Sequence, residues 1–302
     1  MKHLRAMALV LCATAPVTAA PPSFMQAVSA HEAGAFDRCA EVMLAVESIA
    51  GPMPVNGELL AVECLASAGR HADALAYLRR QLPAGRIAIE DLRSKSRPGL
   101  DALRQQAEWP ALLAHAEQLA ADQASGQDAA LRDELLQRAS RDQQLRQAVL
   151  GAAGSEVDPA RWRDVQALDA DNAAWLRQVL AEHGWPASPL VGHDGAKAAW
   201  LLVQHADSDP ALQRMALDMM QPAFERGQVD RSDVALLTDR VLLAEGKPQR
   251  YGSQFQTGDD GVMRLRPVED LAGLEARRAA AGLPSMADYR KMMGELYGRP
   301  VE

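Results

Sequence analysis

Residues 198–203, Ala-Ala-Trp-Leu-Leu-Val, are apolar without a break, and they lie inside a helix-forming stretch at 196–213. A helix that is apolar on all sides has no face to offer water and has to be surrounded by other helices. The run then stops in Gln204, His205, Asp207 and Asp209. Polar groups at the end of a buried helix need partners. The second half of the chain therefore has to be organised around this point.

The rest of the sequence favours the same kind of architecture. Its 302 residues exceed one ordinary domain, so two are expected. Apolar residues make up 48% of the chain but aromatic ones only 4%. Ala and Leu supply the difference, which favours helices over sheets. The fold class expected is mostly α: repeat-like helical hairpins first, then a helical domain with one small β-hairpin. The net charge of −8 lacks the basic footprint of a nucleic-acid binder. No basic amphipathic helix suggests a membrane surface.

The first residues read as an export signal. Lys2, His3 and Arg5 precede a short apolar stretch at 7–13, and Val17-Thr18-Ala19 offers the small-residue cleavage pattern. The cut is expected after Ala19, because a cut after Ala20 would put Pro21 next to the scissile bond. A lipoprotein reading of Cys12 is disfavoured by the bulky Leu11. The apolar stretch is too short to cross a membrane. The expectation is an exported protein, periplasmic or secreted, with no membrane span after signal removal. Cys39 and Cys64 then remain. They fall on consecutive antiparallel helices joined by Gly51-Pro52-Met53-Pro54, with their midpoint in that turn. A disulfide is geometrically reasonable in an oxidising compartment; two small buried thiols are the other reading.

Residues 22–121 read as helical hairpins. Ala33-Gly34-Ala35-Phe36-Asp37-Arg38-Cys39-Ala40 is echoed 35 positions later by Ala68-Gly69-Arg70-His71-Ala72-Asp73-Ala74-Leu75. Each copy ends a helix at Gly and starts the next. A period near this length resembles tetratricopeptide repeats, without their full Trp, Tyr and Pro signature. A short helix ending at 117–121 closes the region, and the boundary is placed at 122–128. A helical domain then spans 129–298. Its helices are expected at 131–150, from Asp158-Pro159 to about 183, through the apolar run to about 205, from Asp209-Pro210 to 226, and at 232–244. Gly258-Asp259-Asp260-Gly261 and the alternation at 262–268 give the small hairpin. Helices at 268–281 and 286–297 finish the chain.

Several motifs in this half carry a resemblance. They are Gly184-Trp185-Pro186, Val191-Gly192, Val203-Gln204-His205-Ala206-Asp207, Leu237-Thr238-Asp239-Arg240-Val241, Gln249-Arg250-Tyr251-Gly252-Ser253-Gln254 and Arg277-Arg278-Ala279-Ala280-Ala281-Gly282-Leu283. Over roughly residues 130–295 they resemble the bacterial family catalogued as domain of unknown function 6624. Ser253 stands where that pattern has Thr, and the hydroxyl is kept. The resemblance implies a domain and brings no activity with it.

Two readings of the polar residues stand. In one, Gln204, His205, Asp239, Arg240, Gln249, Tyr251 and Gln254 converge on a pocket. His205 would be a general base, Asp239 its orienter and Arg240 a holder of carboxylate or phosphate. Gly252 would let the backbone approach a ligand. In the other they are structural: His205 suits a helix C-terminus, Asp207 and Asp209 cap the next helix, and Asp239 and Arg240 point about 100° apart. No metal site or cofactor is expected. His205 and Asp209 have i, i+4 spacing but straddle a break, and His183 and His193 are near only in sequence. No Cys-x-x-Cys, His-Glu-x-x-His, Gly-x-Ser-x-Gly or phosphate-binding Gly-rich loop is present. The function expected is a binding or protein-interaction module of the cell envelope, with a protein or peptide partner. The alternative is a hydrolytic or transfer enzyme.

Overall fold

The computed structural model describes residues 21–51, 53, 56–150 and 159–302. The expected signal, the Asp158 cap, and Pro52 and Pro54 of the first turn lie outside them. Among the described residues there are fourteen α-helices and one two-stranded sheet, so the fold is mostly α.

Two hairpins open it: α1 (Phe24–Glu32) with α2 (Phe36–Ala50), and α3 (Gly57–Ser67) with α4 (His71–Gln81). Their turns are built alike. Gly34, at φ 72°, donates to His31 O at 2.9 Å, and Ala35 N–H donates to Ala30 O at 2.8 Å. Gly69, at φ 76°, donates to Ala66 O, and Arg70 N–H to Leu65 O, both at 2.9 Å. A glycine in the left-handed region closes a helix with this pair of bonds. The internal echo in the sequence is therefore one turn made twice. Cys39 of α2 and Cys64 of α3 are wholly buried and disulfide-bonded, with Cα atoms 5.7 Å apart.

Three further helices cover these hairpins: α5 (Ile89–Ser94), α6 (Pro98–Arg104) and α7 (Trp109–Ser125). The buried Glu63 carboxylate accepts the N–H groups of Gly99 and Leu100 at 3.0 Å, tying off the start of α6 from α3. Arg104 gathers the carbonyls of Asp91, Leu92 and Lys95 at the end of α5. The helix expected to stop at 117–121 continues to Ser125, because nothing in Ala121-Asp122-Gln123-Ala124 breaks it before Gly126.

The second half opens with α8 (Ala129–Leu150) and α9 (Pro159–His183), which pair as a hairpin. Helix α10 (Ser188–His205) lies along α8, followed by α11 (Pro210–Glu225) and α12 (Arg231–Ala244). Leu135, Leu176, Leu180, Leu202, Val203, Leu212, Met220 and Leu237 form their shared core. Asp209 caps α11 as expected, accepting Leu212 N–H at 3.0 Å. Two details differ from the sequence reading. The apolar run of α10 is not buried all round: Trp200 and Leu201 are half-buried, and the Trp200 indole N–H donates to Asp233 O at 3.0 Å. Helix α10 is also broken at Gly192, where φ is 73° and ψ 168°.

Strands β1 (Phe255–Thr257) and β2 (Met263–Leu265) make the expected antiparallel hairpin, with Gln256 opposite Arg264. Helix α13 (Leu274–Ala280) starts later than the residue 268 expected. The Asp270 carboxylate takes the N–H groups of Ala272 and Gly273 at 3.0 and 3.2 Å, a local turn that competes with helix. Helix α14 (Met286–Tyr297) ends the fold. No helix among the described residues is long and apolar enough to cross a membrane.

Candidate functional site

The candidate residues do not converge on one pocket. They fall into three groups.

Asp239 belongs to the first. It is fully buried on α12, and its carboxylate accepts backbone N–H groups from Arg250 at 2.7 Å and from Tyr251 and Ser253 at 2.9 Å. The other face of this loop is held by Arg278 of α13, which is 1% exposed. Its guanidinium donates to the carbonyls of Tyr251 at 2.6 Å, Gly252 at 3.3 Å and Pro284 at 2.7 Å, and burial lowers its pKa. Gln249, also fully buried, accepts Gln254 N–H at 2.9 Å and donates to the carbonyls of Gln254 and Arg266 at 3.0 and 2.9 Å. The Tyr289 hydroxyl donates to Ser253 O at 2.9 Å. Gln254 Nε2 donates to Ser253 Oγ. Tyr251 packs on Ala235, Ala281 and Leu283. Gly252, at φ 67°, has Met286 Sδ 3.2 Å from where a Cβ would stand. The close approach that Gly252 permits is therefore to the chain's own helix, not to a ligand. Asp239 does not orient His205, because its oxygens are spent on the 249–254 loop.

His205 belongs to the second group. Its Nδ1 lies 2.7 Å from Asp142 Oδ2 on α8. Asp142 is 1% exposed, and its other oxygen accepts from Arg146 Nε at 3.1 Å. Arg146 also binds Asp169 of α9. Burial alone would lift the Asp142 carboxyl. The hydrogen bond and charge of His205, with Arg146, outweigh it and hold that carboxyl below its usual range. The partner of His205 was missed because it lies 63 positions away on a helix read only as charged.

Gln204 and Arg240 make the third. Arg240 donates Nε to Gln204 Oε1 at 2.5 Å and Nη1 to Asp207 Oδ1 at 2.6 Å. Gln213 ties Asp207 back to the Val203 and Gln204 carbonyls. This belt holds the α10–α11 turn against α12.

A cleft of about 710 Å³ lies elsewhere, where the N-terminal helices meet the second half. Another, of about 740 Å³, lies between α8 and α9 and is built by the second half alone. One side of the first is the 82–89 segment after α4 with Ala116, Ala120 and Ala124 of α7; the other is Arg132 of α8 with Ser188, Gly192, His193 and Asp194 of α10. The Gly192 break turns the start of α10 toward it and frees Leu190 O to accept Asp128 N–H at 2.7 Å. Arg132 grips Asp194 with two bonds, Nε to Oδ1 at 2.9 Å and Nη2 to Oδ2 at 2.5 Å.

A buried ionic cluster stands beside the cleft and joins the two halves. Arg86, 9% exposed, donates to Glu58 Oε1 at 2.6 Å, to Asp230 and to the Met53 carbonyl. Lys197 pairs with Asp233 and stands 3.8 Å from Asp230 Oδ2. Burial pushes the Asp233 carboxyl up to about 6 and raises that of Glu58. Burial, helped by Arg86, lowers the pKa of His193. Such a cluster costs desolvation but fixes how two surfaces dock. Of these groups the sequence reading named only His193, as a neighbour in sequence. Their signal is faint, because each is one charge among apolar residues on a different element.

Among the described residues, no group of three or more His, Cys, Asp or Glu side chains is placed to hold a metal ion. No curated protein matches the chain. No solved structure matches it. A family of unknown function, DUF6624, matches residues 129–302, which include α8 to α14, the 249–254 loop and the polar side of the cleft. The match spans more than half of the chain, which therefore belongs to the DUF6624 family.

Proposed function

We propose that this is an exported binding protein of the cell envelope whose ligand occupies the cleft between the N-terminal helices and the family domain. The observation that carries this reading is the cleft itself. At about 710 Å³ it falls within the size range of ligand sites, and both halves build it. Its apolar side comes from the first half and most of its polar side from the second. The buried cluster of Glu58, Arg86, Asp230 and Lys197 holds the two sides in register. The disulfide between Cys39 and Cys64 supports an oxidising compartment.

The test is a thermal-shift screen of small molecules and short peptides on the parent and on Ala120→Trp, which fills the cleft. Compounds that raise the melting temperature of the parent and not of the variant are expected. Stabilisation of both to the same extent would move the site elsewhere. Export is checked by fractionation and by the mass of the mature chain, expected to begin at Ala20.

The His205–Asp142 pair favours a second reading, as a hydrolytic or transfer enzyme. An ionised Asp142 would fix the proton on Nδ1 and leave Nε2 as the base. That reading requires hydrolysis of some ester, amide or phosphoester to be lost in both His205→Ala and Asp142→Asn.

A further inference from the structure

Resting on the cleft reading, we propose that the cleft takes a small amphipathic molecule whose apolar body lies along the 82–89 segment and whose carboxylate head is held by His193.

The walls divide by polarity. Leu82, Ile87, Ala116 and Ala120 supply apolar surface on one side, where Arg86 and Gln123 are the polar side chains, and the polar groups of α8 and α10 face them. A molecule that buries apolar area against the first wall therefore presents its head to the second.

The sign of the head follows from charge. In a chain of net charge −8, the cleft wall carries Arg86, Arg132 and His193 against Asp194 alone. Arg132 is spent on Asp194, and Arg86 on Glu58 and Asp230. His193 is different. It lines the cleft and also a small void of about 10 Å³ beside Lys197, Asp230 and Asp233, and its ring makes no hydrogen bond to another described residue. Ser188 and Gln127 also line the cleft without a side-chain hydrogen bond to a described residue, and of the three His193 is the one that can take up a proton. A carboxylate can accept its N–H and favours its protonated form. An alkylammonium in the cleft would meet Arg86 and Arg132 and, of the wall's carboxylates, Asp194, which Arg132 already holds. Asp230 Oδ2, which accepts no hydrogen bond, lies on the neighbouring void and not on the cleft wall.

This assignment fixes a pH dependence. The charged groups around His193 are Arg86 from the segment after α4, Glu58 of α3 behind it, Arg132 of α8, Asp194 and Lys197 of α10, and Asp230 and Asp233 beside and on α12. Burial and Arg86 keep His193 neutral near neutral pH. A bound carboxylate draws a proton onto it, so binding strengthens as pH falls while the ligand stays ionised.

The experiment is calorimetric titration of the full chain with decanoate, decanol and decylamine between about pH 8 and pH 6. The expected result is decanoate affinity rising about tenfold over that range with net proton uptake. Decanol and decylamine are expected to bind at least about tenfold more weakly at the lower pH. In His193→Gln the pH dependence should disappear, and in Ala120→Trp binding itself should disappear. Ala124→Trp, at an exposed position of the same wall, serves if Ala120→Trp does not fold. Decanol binding as well as decanoate, blocked by the tryptophan, would overturn the head-group assignment and leave the cleft reading standing. A pH dependence that survives in His193→Gln would also overturn it, assigning the proton to Asp233. Binding of decanoate that neither tryptophan disturbs would overturn both.

Discussion

Asp239 and Arg278 face each other across the 249–254 loop. The carboxylate collects its N–H groups and the guanidinium its carbonyls, and the Gly252–Ser253 peptide is held at both ends, its N–H by Asp239 and its C=O by Arg278. Hydrogen bonds to charged groups contribute about 1.5–3 kcal/mol each, and leaving their partners buried and unmatched is costly. Asp239→Ala should lower the unfolding free energy by about 3–5 kcal/mol in urea titration, as expected when one partner of a buried charged network is removed. Arg250→Ala removes a half-exposed side chain paired with Glu269 at 3.5 Å and leaves the loop backbone in place. It should cost less than about 0.5 kcal/mol. Equal losses for the two would contradict an anchoring role for Asp239. Asp233 gives a second expectation. Its folded-state pKa of about 6 lies above the unfolded value. The folded protein therefore holds a proton there that the unfolded chain has released, and stability falls as pH rises through 6. Asp233→Asn does not titrate. The unfolding free energy of the parent minus that of the variant should drop by about 2–3 kcal/mol from pH 4 to pH 7. The sequence named most of these residue types but not their pairings. Asp142 for His205, and Arg278 beyond the 249–254 loop, are choices made by tertiary contact over 63 and 27 positions.

At the scale of elements, local chemistry was legible where a turn or cap is closed by neighbours. The twin turns at Gly34 and Gly69, the Asp209 cap of α11 and the Gly258–Gly261 hairpin turn all answer to residues within a few positions. Element ends set by a side chain's local competition were not, as with Asp270 at the start of α13. The break in α10 was legible only as a Val-Gly pair. Gly192 sits at a φ and ψ that only glycine adopts readily, and a Cβ there would stand 3.0 Å from Asp194 Oδ1. Gly192→Ala should therefore cost about 1–3 kcal/mol. Because the break shapes the cleft wall, the variant should also lose any ligand-induced rise in melting temperature. An alanine variant as stable and as responsive as the parent would show that the break is incidental.

Across the whole molecule, two hydrophobic clusters, one running from Ala27 to Ala116 and the other from Leu131 to Val241, meet at a seam of buried charge. Composition announced the helices, and the motifs announced the family half. The cleft was invisible, because its walls come from four separate segments, at 82–89, 116–127, 132 and 188–194, and no motif reports that they meet. The disulfide was one of two open readings, and the structure chooses it. With 25 positions between its cysteines it should contribute about 3–4 kcal/mol by restricting the unfolded chain. The double Cys39→Ser, Cys64→Ser protein should show that loss in urea, while unchanged stability would mean the bond is not formed in the protein tested. The family's polar motifs tie its turns and helices together, and the proposed ligand site is the cleft. The most direct test is the ligand-induced change in melting temperature of the parent, Ala120→Trp and His205→Ala, with the same compounds. The response is expected to vanish in Ala120→Trp and to persist in His205→Ala, whose own melting temperature is lowered. A response that vanishes in His205→Ala and persists in the filled cleft would contradict it.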